Sequence, residues 1–178
     1  MIRASELVTV FVDADNTLWD TDRVFANTQL RLLHDVEESL GLTWPDEDRL
    51  QFVRAADQEL ASLHHDGLRY PPALLVRALS LALDGMDPVR AAKIALHGSK
   101  PAKIYADQEG VILNRYFQSL KALPQLKKGV ADGLRQMKEL NWNILMVTES
   151  AVTRARETAD ALSISQFFDR VLEGRKRP

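Results

Sequence analysis

Apolar and polar positions along the chain follow two different rhythms. Near the start, Val8-Thr9-Val10-Phe11-Val12 is an unbroken β-branched and aromatic run. That composition predicts a strand buried on both faces, as in a parallel sheet. From Asp22 to about Lys121 the spacing becomes helical. Phe25, Leu32 or Leu33, Val36 and Leu40 share one helical face, and Gly41 supplies a stop. Pro45 with Asp46, Glu47 and Asp48 predicts the start of a second helix, whose apolar face is Leu50, Val53, Ala56 and Leu60. His64-His65-Asp66-Gly67 closes it. Pro71-Pro72 opens a third helix. Asp87-Pro88 reads as N-cap and first-turn proline of a fourth, ending near Gly98, and a fifth spans about Ile104 to Leu120.

After Pro124 and Gly129 the rhythm alternates. Val130, Leu134, Met137 and Leu140 form an amphipathic helical face. Ile144 to Val147 is a second buried-strand candidate ending at Thr148. Val152, Ala155, Ala159 and Leu162 give another helix, and Phe167-Phe168 with Val171-Leu172 suggest a third, short strand. The order β, helical insertion, α, β, α, β predicts an α/β fold: a Rossmann-like parallel sheet with right-handed crossovers, carrying an all-helical domain. The boundaries expected are 1–21 with 121–178 for the core, and 22–120 for the insertion.

Composition narrows the function classes. A length of 178 residues suits one domain, or a small core with an insertion, and 46% hydrophobic with 27% charged residues is ordinary for a soluble globular chain. The net charge of −2 gives no general attraction to nucleic acid or to an anionic membrane, so neither is expected as a partner. The absence of cysteine rules out disulfides, a thiolate nucleophile and a zinc-thiolate site, and is compatible with the cytoplasm, the expected location. The first apolar run ends at Asp13, too early for a signal-peptide core, and no stretch is long and apolar enough to cross a bilayer. The four histidines, His34, His64, His65 and His97, fall in the helical block and read as surface or helix-end residues.

Candidate chemistry sits at the strand ends. The first strand stops on Asp13, Asp15, Asn16 and Thr17. In open α/β sheets ligands bind outside the carboxyl ends of strands. Alternation along an extended chain points Asp13 and Asp15 the same way. Like charges there repel unless one is protonated or a cation is near, and Mg²⁺ takes hard oxygen ligands from one or two carboxylates. An Asx-type turn at a strand end would use the same residues without any ligand. The second strand ends on Thr148-Glu149-Ser150, and a helix starting near Ala151 would add N-terminal donors for an anion. A simple helix N-cap by Thr148 or Ser150 is the alternative. Trp19 is assigned to packing beneath the insertion rather than to the mouth of a site.

Asp13-Ala14-Asp15-Asn16-Thr17-Leu18, after its apolar strand, resembles the first motif of the haloacid dehalogenase superfamily. Thr148 is similar to the second motif. Lys176, in Glu173-Gly174-Arg175-Lys176-Arg177-Pro178, is similar to the third, with Arg177 intervening where the family often has proline at once. A solvated basic tail is the other reading of that segment. The resemblance implies a Mg²⁺-dependent phosphatase acting on a small phosphomonoester. Asp13 would be the nucleophile that forms an aspartyl-phosphate, and Asp15 the acid and base. Thr148 and Lys176 would hold the transferring group, with Glu149, Ser150 and Asn16 as further substrate-binding candidates. Mg²⁺ would bind the Asp13 carboxylate and the Asp15 main-chain carbonyl. The acid at Asp15 favours a phosphatase over a dehalogenase, and the insertion matches the family's mobile helical cap.

The superfamily's fourth motif, an acidic pair after a fourth strand that completes the Mg²⁺ ligands, has no counterpart before Pro178. A fragment of a longer gene product, or a degenerate member with weak metal binding, is expected on that ground. The alternative function is a non-catalytic fold that binds a phosphate ligand or a protein partner. A sheet ending after three strands would leave an apolar edge that invites another chain, including a homodimer.

Overall fold

The computed structural model describes residues 8–45, 48–64, 70–98 and 103–174. The chain divides into two compact units, one of Met1–Val24 with Leu123–Pro178 and one of Phe25–Ala122.

The first unit is α/β. Its strands are β1 (Thr9–Asp13), β2 (Asn143–Thr148) and β3 (Arg170–Glu173), parallel and in the order β1-β2-β3. Asp13 stands opposite Val147, and Thr148 opposite Glu173. The crossovers contain α6 (Val130–Glu139) and α7 (Val152–Ala161). Both crossovers step the same way along the sheet, so the handedness of parallel connections puts both helices on one face. Packing agrees: Leu134 of α6 and Ala155 and Ala159 of α7 cluster with Ile144 and Met146, and Val12 and Val171 pack against that cluster. The other face bears Thr9, Phe11 and Asp13 of β1, beside Leu145, Val147 and Leu172. Phe11 is 64% exposed there.

The expectation that the first strand is buried on both faces is therefore wrong. β1 alternates exposed and half-buried residues, whereas β2 is mostly buried. The cause is position. Among the described residues β1 has a strand neighbour on one side, and α6 and α7 pack on one face of the sheet. Expected and observed boundaries of the third strand also differ, because Ser165–Phe167 forms a 3₁₀ turn and β3 begins at Arg170. Gly174 lets the tip of β3 lie close to β2. Its N–H donates to the Thr148 carbonyl at 2.8 Å, and a Cβ there would stand 2.8 Å from Val147 Cγ1.

Beyond Asp13 the chain turns back on itself. Leu18 N–H donates to the Ala14 carbonyl, and a short antiparallel ladder then joins Leu18–Asp20 to Gln125–Lys127. Its rungs are Lys127 N to Leu18 O and Asp20 N to Gln125 O, each 2.9 Å, flanking a Trp19–Leu126 pairing.

The second unit is helical. It contains α1 (Thr21–Leu40) from Phe25 onward, α2 (Arg49–Leu63), α3 (Pro72–Leu83), α4 (Pro88–His97) and α5 (Ala106–Ser119). Leu32, Leu33 and Val36 of α1 share its core with Val53, Ala56 and Leu60 of α2, and with Val76 and Leu79 of α3. Pro45 does not start α2. Asp48 does, accepting from Gln51 N–H as a side-chain N-cap, which satisfies a donor that proline cannot serve. Asp87, Pro88 and left-handed Gly98 bound α4 as the sequence predicts. Glu37, nearly buried, accepts from both terminal nitrogens of Arg49 and from Trp44 N–H. Burial pushes its carboxyl up, but those donors and the Arg49 charge outweigh burial and hold it below the ordinary glutamate value. No described helix is long and apolar enough to cross a membrane.

Candidate active site

The tips of β1 and β2 lie side by side, and the turn after β1 supplies most of the polar groups. Asp13, the last residue of β1, is exposed, and its Oδ2 accepts from the Thr17 hydroxyl at 2.8 Å. Asp15 is half-buried and has a different set of donors. Its Oδ1 accepts from Thr21 Oγ1 at 2.7 Å and Trp19 Nε1 at 3.1 Å, and its Oδ2 from Ser150 Oγ at 2.9 Å. Burial pushes the Asp15 carboxyl up. The Thr21, Ser150 and Trp19 hydrogen bonds and the Arg154 charge outweigh it, so the group lies below its ordinary value and is held as carboxylate.

The second strand end joins this network through Ser150. Its N–H donates to Thr148 Oγ1 at 3.0 Å, and Thr148 itself is buried. Thr148, Ser150 and Asp15 thus form one hydrogen-bonded series across two strand tips. The first helix position after β2 is Val152, with Ala151 at the cap and no side-chain cap bond. Neither Thr148 nor Ser150 is the N-cap, so the first N–H groups of α7 have no side-chain oxygen of that kind. Such donors at a helix start suit an anion.

A family model for haloacid dehalogenase-like hydrolases matches residues 7–177. The chain belongs to that family. Among solved structures it is similar to a candidate beta-phosphoglucomutase of Thermotoga maritima, at TM-score 0.54 and 16% identity over 97% of this chain and 64% of that one. A haloacid dehalogenase-like hydrolase of Xanthomonas campestris gives TM-score 0.55 and 14% identity over 94% and 62%. The HAD hydrolase YfnB of Bacillus subtilis, a structure bound to magnesium, gives 0.51 and 17% over 94% and 65%. The chain therefore spans less than two thirds of each of those chains, and at such identities the likeness is one of fold. No curated protein matches the sequence.

Of the residues singled out from the sequence of this HAD-like hydrolase, Asp13, Asp15, Thr148 and Ser150 gather at the two strand tips. Glu149 lies beside them, exposed. Asn16 adopts a left-handed backbone with φ of 59°, a conformation asparagine tolerates. Its side chain donates to Asp22 Oδ1 and accepts from Asp22 N–H, both at 2.9 Å, which locks the turn to the start of α1. Lys176 lies outside the described residues. Asp15 does not continue the extended strand that was expected to point both carboxylates one way: β1 ends at Asp13, and the turn gives the two carboxylates separate partners. Trp19 is buried in the core cluster of the α/β unit, not the packing beneath the insertion that was expected, and it also touches Asp15.

Three residues not evident as site residues from the sequence act on Asp15: Thr21 and Trp19 by hydrogen bonds, and Arg154 by its charge. Trp19 and Thr21, four and six residues after Asp15, reach it through the local turn closed by the Leu18 N–H to Ala14 carbonyl bond, a turn that the spacing alone does not single out. Arg154 is one of several charged residues on α7, and spacing does not single it out. Among the described residues no group of three or more His, Cys, Asp or Glu side chains could enclose a metal. The oxygen set still fits a Mg²⁺ ion that keeps waters and substrate oxygens, since such an ion needs only one or two protein carboxylates. Asp13 is the carboxylate available for it; both oxygens of Asp15 already accept hydrogen bonds.

Proposed function

We propose that the chain is a phosphohydrolase acting on a small phosphomonoester, with Asp13 as nucleophile and Asp15 as acid and base. The observation that supports it best is the exposed Asp13 carboxylate at the tip of β1, beside a Thr148–Ser150–Asp15 hydrogen-bonded series. An Asp13 oxygen would attack phosphorus and displace the ester oxygen, which takes a proton from Asp15. Water would then attack the aspartyl-phosphate, giving its proton to Asp15 and releasing phosphate. As held, Asp15 is ionised, so it must loosen from at least one donor to load the proton it delivers. Thr148 and the start of α7 would seat the phosphoryl oxygens, a task of positioning and charge stabilisation.

Mg²⁺, held by the Asp13 carboxylate and the Asp15 main-chain carbonyl, would neutralise charge on the transferring group. The helical unit would serve as the substrate-selecting cap. The test is hydrolysis of phenyl phosphate by the chain with Mg²⁺, compared with Asp13→Asn. A fall of about 10³-fold or more is expected for loss of the nucleophile. Turnover by Asp13→Asn at the wild-type rate would end this reading. One observation favours a second reading, a non-catalytic phosphate binder: no fuller acidic cluster occurs among the described residues. Under it, wild type would bind inorganic phosphate yet turn over no ester.

A further inference from the structure

We infer that Trp19 is a positioning residue whose indole N–H sets the direction of the Asp15 carboxylate, and through it the protonation of the leaving group. This rests on the phosphohydrolase reading above. Trp19 is 3% exposed and belongs to the same core cluster as Ala14, Leu18 and Leu134. Main-chain bonds on either side, at Leu18 and Asp20, fix its backbone against Gln125–Lys127. An indole has one polar atom, a donor, and when buried it must find an acceptor. Here that acceptor is Asp15 Oδ1 at 3.1 Å.

The other two donors to Asp15 are the hydroxyls of Thr21 and Ser150. A hydroxyl hydrogen rotates to suit its surroundings, so it follows a carboxylate. The indole N–H is fixed in direction by a packed ring, so it guides one. Trp19 therefore ties the orientation of Asp15 to the core of the unit. It does not touch substrate, and its effect on the reaction passes through Asp15.

Such a role has a signature that loss of packing alone does not give. An acid matters most when the leaving oxygen is strongly basic. With an alkyl phosphate the departing alkoxide must be protonated, whereas 4-nitrophenolate leaves with little help. The experiment compares Trp19→Phe with wild type on glycerol phosphate and on 4-nitrophenyl phosphate, with Mg²⁺, reading kcat/KM, which includes leaving-group departure. The expected result is a loss of about 10-fold on the alkyl ester and under about 3-fold on the nitrophenyl ester. Equal losses on both esters, or none on either, would overturn the inference. Wild type inactive on both esters would instead sink the phosphohydrolase reading.

The core position makes a second measurement necessary. In full-length ¹⁵N-labelled protein, the Trp19 indole resonance should move in Asp15→Asn while those of Trp44 and Trp142 stay in place. A Trp19 resonance unmoved by that substitution would overturn the positioning role without reference to turnover.

Discussion

β1 and β2 are adjacent, parallel and almost equally apolar, yet the sheet treats them differently. Ile144 and Met146 of β2 are fully buried, while Phe11 of β1 is 64% exposed. The difference comes from neighbours. β2 has a strand on each side and two helices on one face. Among the described residues β1 has a strand on one side, and its Val12 packs against the helix-covered core. An apolar run thus reports that a strand can be buried, and sheet order decides how much of it is. The less buried strand is also the one that ends in Asp13.

Four measurements would break or sharpen that contrast. The largest effect is expected from Met146→Ala, which should cost about 3 kcal/mol in chemical denaturation, the usual loss for emptying a fully packed site. Gly174→Ala should cost about 1–3 kcal/mol, because the new Cβ must displace the stiff Val147 side chain at the β2–β3 tip. Phe11→Ala should cost under about 1 kcal/mol on the same scale, as for an exposed position. A loss at Phe11 as large as at Met146 would mean that the open face is covered in solution, and the contrast between the strands would fail.

The smallest effect concerns acid. The Asp15 carboxyl lies below its ordinary value of 3.8, so its contribution to stability is fully present above that value. It is lost as pH falls through the lower folded value. Asp15→Asn should therefore lower stability near neutrality, where that contribution is complete, and flatten the acid limb of a pH–stability curve below about pH 4. An unaltered acid limb would show that the Thr21, Trp19 and Ser150 bonds do not hold the ionised form.

Much of this was legible from the chain alone. The β–insertion–α–β–α–β order, the caps at Asp87 and Gly98, and the convergence of Asp13 and Thr148 follow from local composition and from the rules of parallel sheets. What was not legible depends on pairings distant in sequence. The exposure of Phe11 depends on which strands and helices surround β1. The Ser150 donor to Asp15 depends on β2 lying beside β1, a pairing of residues far apart in sequence. Asp48 displaced Pro45 as the start of α2 because a capping oxygen outweighs a residue that merely tolerates the first turn. Lys176 lies outside the described residues.

The main-chain bond between Asp20 and Gln125 has a use in engineering. It brings the two ends of the inserted helices together as the two arms of a hairpin. A connector of about two to five residues has the reach to join such arms. The sheet-bearing unit is therefore open to grafting: the helical segment can be excised, shortened or exchanged for another at this single junction, with the strand order left as it stands.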